Sequence, residues 1–159
     1  MVRAPIEKTI MPKHFLIIEA RFYPEISDEL ARGATAELEK RGATFERRQV
    51  PGVLEIPAAL SMASRASTGA HRYDGYVLLG CVIRGETSHY DIVATQSARA
   101  VIDFAVAHAL AVGNGVLTVE NEAQAWARAR VEEKNKGAAA ASAAYEMAAL
   151  RAEIGLRDG

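Results

Sequence analysis

Residues 84–91 read RGETSHYD. An arginine, a glycine, two acids and several hydrogen-bonding side chains surround one histidine, directly after YVLLGCVI, as apolar a stretch as any in the chain. Ser88 and Asp91 have capping-box spacing, which makes Ser88 the expected N-cap and His89 the first helical residue. Gly85–Ser88 would then present backbone N–H groups at a helix N-terminus, an arrangement suited to an anion. The positive end of a helix disfavours an imidazolium, so His89 is expected to be neutral and able to accept a proton. An anion site beside a neutral base fits a phosphorylated substrate whose chemistry moves protons. The plain alternative is a well-capped helix start with no chemistry. The other histidines, His14, His71 and His108, are assigned to surface or capping positions.

In open α/β sheets ligands gather at the C-terminal ends of strands. Three further strand exits therefore matter: ARFYPE (20–25), VPGVLE (50–55) and VENEAQ (119–124). Phe22 could stack on a flat ring, although aromatics in loops more often only pack. Pro51 and Gly52 force a turn, with Leu54 and Glu55 following at the rim; a strand-to-helix connection would look the same.

The elements that must carry these exits alternate along the chain. HFLIIEA (14–20) reads as a strand. Ser27 is placed to cap a helix over DELARGATAELEKRG, with Leu30, Ala34 and Leu38 on one face and Gly42 as its stop. TFERRQV (44–50) reads as a more exposed strand, and a helix is expected from about Ala58 to Ser67. STGAHRYDG (67–75) has loop composition, and YVLLGCVI (76–83) is the expected central strand. From His89 to about Val112 the pattern is helical, with Val93, Ser97, Ala100, Val101, Phe104 and His108 on one face. GVLTVE (115–120) makes a fourth strand, and NEAQAWARARVEE and GAAAASAAYEMAALRAEIG make two closing helices. Such alternation predicts an α/β fold, a parallel sheet covered on both faces.

At 159 residues the chain is expected to be one domain, 1–159, with its first dozen residues loose. Half the residues are hydrophobic and the formal net charge is -1, which leaves no basic field for nucleic acid or anionic lipid. The N-terminus lacks the apolar run of a signal peptide, and no stretch has the length of a membrane span. The one cysteine, Cys81, can form no internal disulfide, and no Cys/His cluster has zinc spacing. A cytoplasmic, metal-free protein is expected.

Taken in order and spacing, ARFY, PGVLEIP, GCVIRGETSHYD, LTVENEAQA and NKGAAAASAAYEM resemble the lumazine synthase (6,7-dimethyl-8-ribityllumazine synthase) family, from about His14 to Leu150. The resemblance implies a flavodoxin-like three-layer αβα sandwich with a four-stranded parallel sheet. It implies a transferase of riboflavin biosynthesis that needs neither cofactor nor metal. Its two small-molecule substrates would be 5-amino-6-(D-ribitylamino)uracil and 3,4-dihydroxy-2-butanone 4-phosphate. By position, Phe22 would stack on the pyrimidine, Val53, Leu54 and Glu55 would meet the ring and ribityl chain, and Cys81, Val82 and Ile83 would line the pocket. Glu86 and Thr87 match the phosphate loop, His89 the proton-transfer histidine, Arg128 the phosphate-binding arginine, and Lys136 a lysine near that site. Glu86 suits a phosphate only if its backbone N–H donates and its side chain points to solvent.

The resemblance also implies pockets shared between neighbouring subunits of a homo-oligomer, a pentamer or a decamer of two pentamers. Two positions depart from the usual pattern: Leu54 stands where many members have phenylalanine, and Asn114 where many have an aromatic reaching in from the next subunit. Pyrimidine affinity is the property they bear on. Shell-forming members carry a glycine-containing turn where this chain has ARVEEKNKG. Arg130–Lys134 are good helix residues, so the preceding helix is expected to run on, and Glu132 and Glu133 would be costly to bury unpaired; a pentamer or decamer is therefore expected, not the larger shell. Rival readings are a non-catalytic flavin- or lumazine-binding protein, a shell subunit, and a signalling module. The binder would need neither His89 nor Arg128, and the signalling module would need acids clustered at the first strand exit.

Overall fold

The chain's apolar runs pair side by side in register. A computed structural model describes residues 11–66 and 72–156. Strands β1 (His14–Ala20), β2 (Thr44–Val50), β3 (Gly75–Ile83) and β4 (Val112–Val119) form one parallel sheet in the order β2-β1-β3-β4. β3 is buried along all but its last residue, as an inner strand must be, whereas the charged β2 lies at an edge. The helices are α1 (Pro24–Lys40), α2 (Ile56–Ala66), α3 (His89–His108), α4 (Glu122–Ala129) and α5 (Lys136–Ile154).

Successive strand residues point to opposite faces and build two cores. Phe15, Ile17, Val77 and Leu79 pack under α1, α4 and α5, against Leu30, Leu38, Ala125 and Ala141. Leu16, Ile18 and Leu78 pack under α2 and α3, against Ile56, Leu60, Val93 and Val101. The result is the flavodoxin-like αβα sandwich. α5 lies so close to β4 that a Cβ on Gly113 would come 1.8 Å from the Ala140 carbonyl oxygen. The opposite face of β4 is less covered, and Asn114 and Thr118 there are exposed. No helix among the described residues is long and apolar enough to cross a membrane.

Several boundaries differ from expectation. α1 begins at Pro24, not after Ser27, because proline's fixed φ and missing N–H suit the first helical turn. Ser27 is buried inside the helix, and its hydroxyl donates to the Ala20 carbonyl at 2.8 Å. Gly42 does stop the helix, with φ +74. α2 begins at Ile56, directly after a 3₁₀ turn at Val53–Glu55. α3 ends at His108 against a left-handed Ala109, and β4 starts three residues before the expected Gly115. On the α3 face, Val93, Ser97 and Val101 are buried, while Ala100 and His108 are exposed.

α4 does not run on through Arg130–Lys134; it stops at Ala129. The Val131 N–H donates to Glu29 on α1 (3.0 Å) and Glu132 pairs with Arg32 (2.9 Å), drawing the chain toward α1. Asn135 then takes a left-handed conformation and caps α5 through the Ala138 N–H. Tertiary contacts override helix propensity here. His14 is neither a bare surface residue nor a cap. Its ring bonds Thr44 Oγ1 at 2.7 Å and stacks on Tyr73. His71 and most of the 67–75 loop, like residues 1–10, lie outside the described residues.

Candidate active site

The exits of β1 and β3, the 3₁₀ turn and the start of α3 enclose a cleft of about 390 Å³. Each wall has a local cause. Glu19, fully buried at the end of β1, accepts two bonds from Arg47 at 2.7 and 2.8 Å. Arg21 bridges Glu19 and Asp28, and its N–H donates to the Val50 carbonyl. This fixes the backbone on which Phe22 stands, 70% exposed at the rim, edge-on to Tyr23. Across the cleft, Val53 is buried while Leu54 and Glu55 are exposed. The Glu55 carboxylate has no hydrogen-bond or ion-pair partner among the described residues.

The end of β3 supplies the floor: Cys81, Val82 and Ile83. Burial pushes the Cys81 thiol up to about 11, so it is a packed, protonated group at neutral pH. Thr87 and His89 close the far side. Ser88 is the N-cap residue as expected, but its side chain makes no cap bond. Thr87 Oγ1 accepts weakly from the His89 N–H (3.3 Å), and Asp91 turns to Arg84 (3.2 Å). The capping box is thus replaced by longer-range partners. The N–H groups of Gly85–Ser88 remain without partners among the described residues. The His89 imidazole is exposed, and so is Glu86, whose side chain does not line the cleft.

The structure therefore gathers nine of the thirteen substrate-binding and catalytic residues expected from the sequence: Phe22, Val53, Leu54, Glu55, Cys81, Val82, Ile83, Thr87 and His89. Glu86 sits in the adjoining loop. Asn114, Arg128 and Lys136 lie elsewhere, around a second hollow of about 340 Å³ on the β4 edge, beside Thr118 and Ala140. Arg128 donates to the Gln124 carbonyl (3.1 Å), and Asn114 accepts from the Val116 N–H (3.0 Å). The thirteen expected positions thus fall in two separate places. Tyr23 and Tyr90 also line the cleft and were not singled out from sequence. Each adjoins a residue that was, and only that adjacency could have pointed to them. Burial raises the Tyr23 phenol above its ordinary range, with Cys81 and Glu122 adding to the shift. Among the described residues no cluster of three His, Cys, Asp or Glu side chains could hold a metal ion.

A cleft with an aromatic at its rim, a carboxylate and a histidine beside a helix start agrees with the comparison to known proteins. The family model described as 6,7-dimethyl-8-ribityllumazine synthase matches residues 12–152. The chain belongs to the 6,7-dimethyl-8-ribityllumazine synthase family. It is 55% identical over 147 residues to 6,7-dimethyl-8-ribityllumazine synthase 1 of Rhizobium meliloti, covering 92% of this chain and 96% of that protein. It is 56% identical over 149 residues to the synthase of Bartonella bacilliformis, covering 94% and 97%. It is 53% identical over 143 residues to that of Agrobacterium fabrum, covering 89% and 97%. The matched residues include both the cleft and the β4 edge.

Proposed function

We propose that the protein condenses 5-amino-6-(D-ribitylamino)uracil with 3,4-dihydroxy-2-butanone 4-phosphate to 6,7-dimethyl-8-ribityllumazine, as a cytoplasmic transferase of riboflavin biosynthesis in which residues 1–159 act as one domain. The observation that carries this reading is the convergence of Phe22, Glu55, Thr87 and His89 on one cleft. Phe22 stacks on the pyrimidine, Glu55 accepts from ribityl hydroxyls, and backbone groups of Cys81–Ile83 border the ring. The amides of Gly85–Ser88 bind the ketone's phosphate at the helix start. The pyrimidine's amine attacks the ketone, water leaves to give an imine, phosphate is eliminated, and ring closure releases a second water. Both substrates are intrinsically reactive, so proximity supplies most of the acceleration. His89 moves protons between intermediates, and no resident cofactor is needed.

Arg128 and Lys136 complete the phosphate site from a neighbouring subunit, with Asn114 reaching toward its pyrimidine. Two features support this assembly. These three residues line an open edge hollow that is separate from the cleft. Asn114 also borders an apolar hollow of about 500 Å³, where Ile102, Val106 and Ile154 are exposed. Apolar surface of that kind suits an interface between copies. The assembly is a ring of five, or two such rings. The helix-continuation argument against a larger shell does not apply, since α4 ends early, and Glu132 and Glu133 are paired with Arg32 and Arg130. The test of the activity is to mix the protein with both substrates and follow the absorbance and fluorescence of the lumazine. Product forming no faster than without protein would overturn the reading.

A further inference from the structure

The loop that faces the phosphate holds itself weakly. Gly85–Ser88 are all exposed, and Ser88 contributes no side-chain cap. What anchors the loop lies at its two ends and is one side chain. The Arg84 N–H donates to the Val119 carbonyl (2.9 Å), extending the pairing of β3 with β4. Its guanidinium then does three things at once. Nε donates to Glu120 at 2.8 Å, Nη1 donates to Asp91 at 3.2 Å, and Cζ sits over the Tyr90 ring, 4.2 Å from its centroid. Tyr90 and Asp91 are the two residues after His89. Arg84 therefore spans the loop and ties the first turn of α3 to the end of β4.

We propose that Arg84 is a positioning residue for the reaction, one that acts through Tyr90 and Asp91 to aim the His89 imidazole and the Gly85–Ser88 amides. The inference rests on the lumazine-forming reading of the cleft. A guanidinium suits the site, because it can sit over a ring while two of its nitrogens meet two carboxylates, a combination that a lysine ammonium does not reproduce. Isolated exposed ion pairs contribute little, but here the pairs bracket the reactive turn. A misplacement of about 1 Å in such a turn costs up to about a hundredfold in rate. Nε and Nη1 are committed to carboxylates, and the split between kcat and KM separates this role from direct contact with phosphate.

The test uses the full chain and four variants: Arg84→Ala, Arg84→Lys, Asp91→Asn and the double Arg84→Ala/Asp91→Asn. Arg84→Ala is expected to lower kcat about tenfold while KM for the phosphorylated ketone changes less than about threefold. Asp91→Asn moves kcat the same way and by less, and the double variant is no worse than Arg84→Ala, since both act through one contact. Arg84→Lys recovers only part of the loss. Hydrogen–deuterium exchange of the segment 84–92 should quicken in Arg84→Ala and Asp91→Asn alike, a readout independent of turnover. A wild-type protein that forms no lumazine would sink the functional reading alone, leaving exchange to decide whether Arg84 holds the loop. If Arg84→Ala raises KM for the ketone at unchanged kcat while Asp91→Asn is silent, Arg84 is a phosphate ligand and the proposal fails. Wild-type kinetics and exchange in all four variants would reduce the cluster to a surface ion pair. Should Arg84→Ala fold poorly, Asp91→Asn keeps the arginine and its ring contact and still decides.

Discussion

His89 stands at the start of α3 with its imidazole exposed to the cleft, so its removal should cost chemistry and not stability. His89→Ala is expected to slow turnover about tenfold to a hundredfold, the low end for a proton-transfer group, because proximity supplies most of the rate. Unchanged turnover at saturating substrate, measured by lumazine absorbance, would take the residue out of the mechanism. Arg128→Ala should weaken the phosphorylated ketone by roughly 1.5–3 kcal/mol, one charge-assisted contact, with little change for the pyrimidine. Equal losses for both substrates would contradict that assignment. The buried Cys81 thiol, raised to about 11, should resist iodoacetamide at pH 8 and react only as the pH nears that value. Its folded value lies above the ordinary thiol range, so its contribution to stability is full below that range and fades as pH rises through about 11. His89 was legible from its type and its place at a helix start, and Arg128 and Cys81 from the family pattern. Arg84's role was not, since its partner Glu120 lies 36 residues away, and the expected Ser88–Asp91 box gave way to that longer-range set.

At the scale of elements, the turn between α4 and α5 sets where Lys136 stands. Glu29 holds it, accepting from Arg32 (2.8 Å) and from the Val131 N–H (3.0 Å). The Arg32 bond, then the Val131 N–H, keeps the Glu29 carboxyl below the ordinary carboxylate range. The stabilisation is therefore present above that range and lost as pH falls through the depressed folded value. Glu29→Gln is expected to speed hydrogen exchange at the Val131 amide at neutral pH and to flatten its acid dependence; unaltered exchange would show that the turn holds itself. Gly113→Ala would press a Cβ onto the α5 backbone, which cannot rotate away as a side chain would. A loss of about 3 kcal/mol follows, roughly 6–12 °C in thermal midpoint by scanning calorimetry. A midpoint within about 1 °C of wild type would mean that α5 sits more loosely than this packing implies. Strand and helix order could be read from periodicity because the two cores alternate along β1 and β3. The early stop of α4 could not, because Glu29 and Arg32, a hundred residues away, decide it.

At the scale of the molecule, the cleft and the β4-edge hollow lie apart on one chain, and the proposed assembly makes them halves of one pocket. The sequence placed all thirteen residues in one family pattern but could not show that they fall in two places, since which strand exits share a cleft is a property of the β2-β1-β3-β4 order. Sedimentation should give five or ten subunits, and a dominant species near a megadalton would contradict the assembly. The central claim is that a lumazine-forming pocket joins His89 of one subunit to Arg128 of the next. Co-expression of His89→Ala and Arg128→Ala chains, assayed at limiting phosphorylated ketone, tests it most directly. Random mixing in a ring makes about a quarter of the pockets intact, so the hybrids should regain about a quarter of wild-type turnover. Activity no higher than the mean of the two separate variants would contradict a pocket shared between subunits.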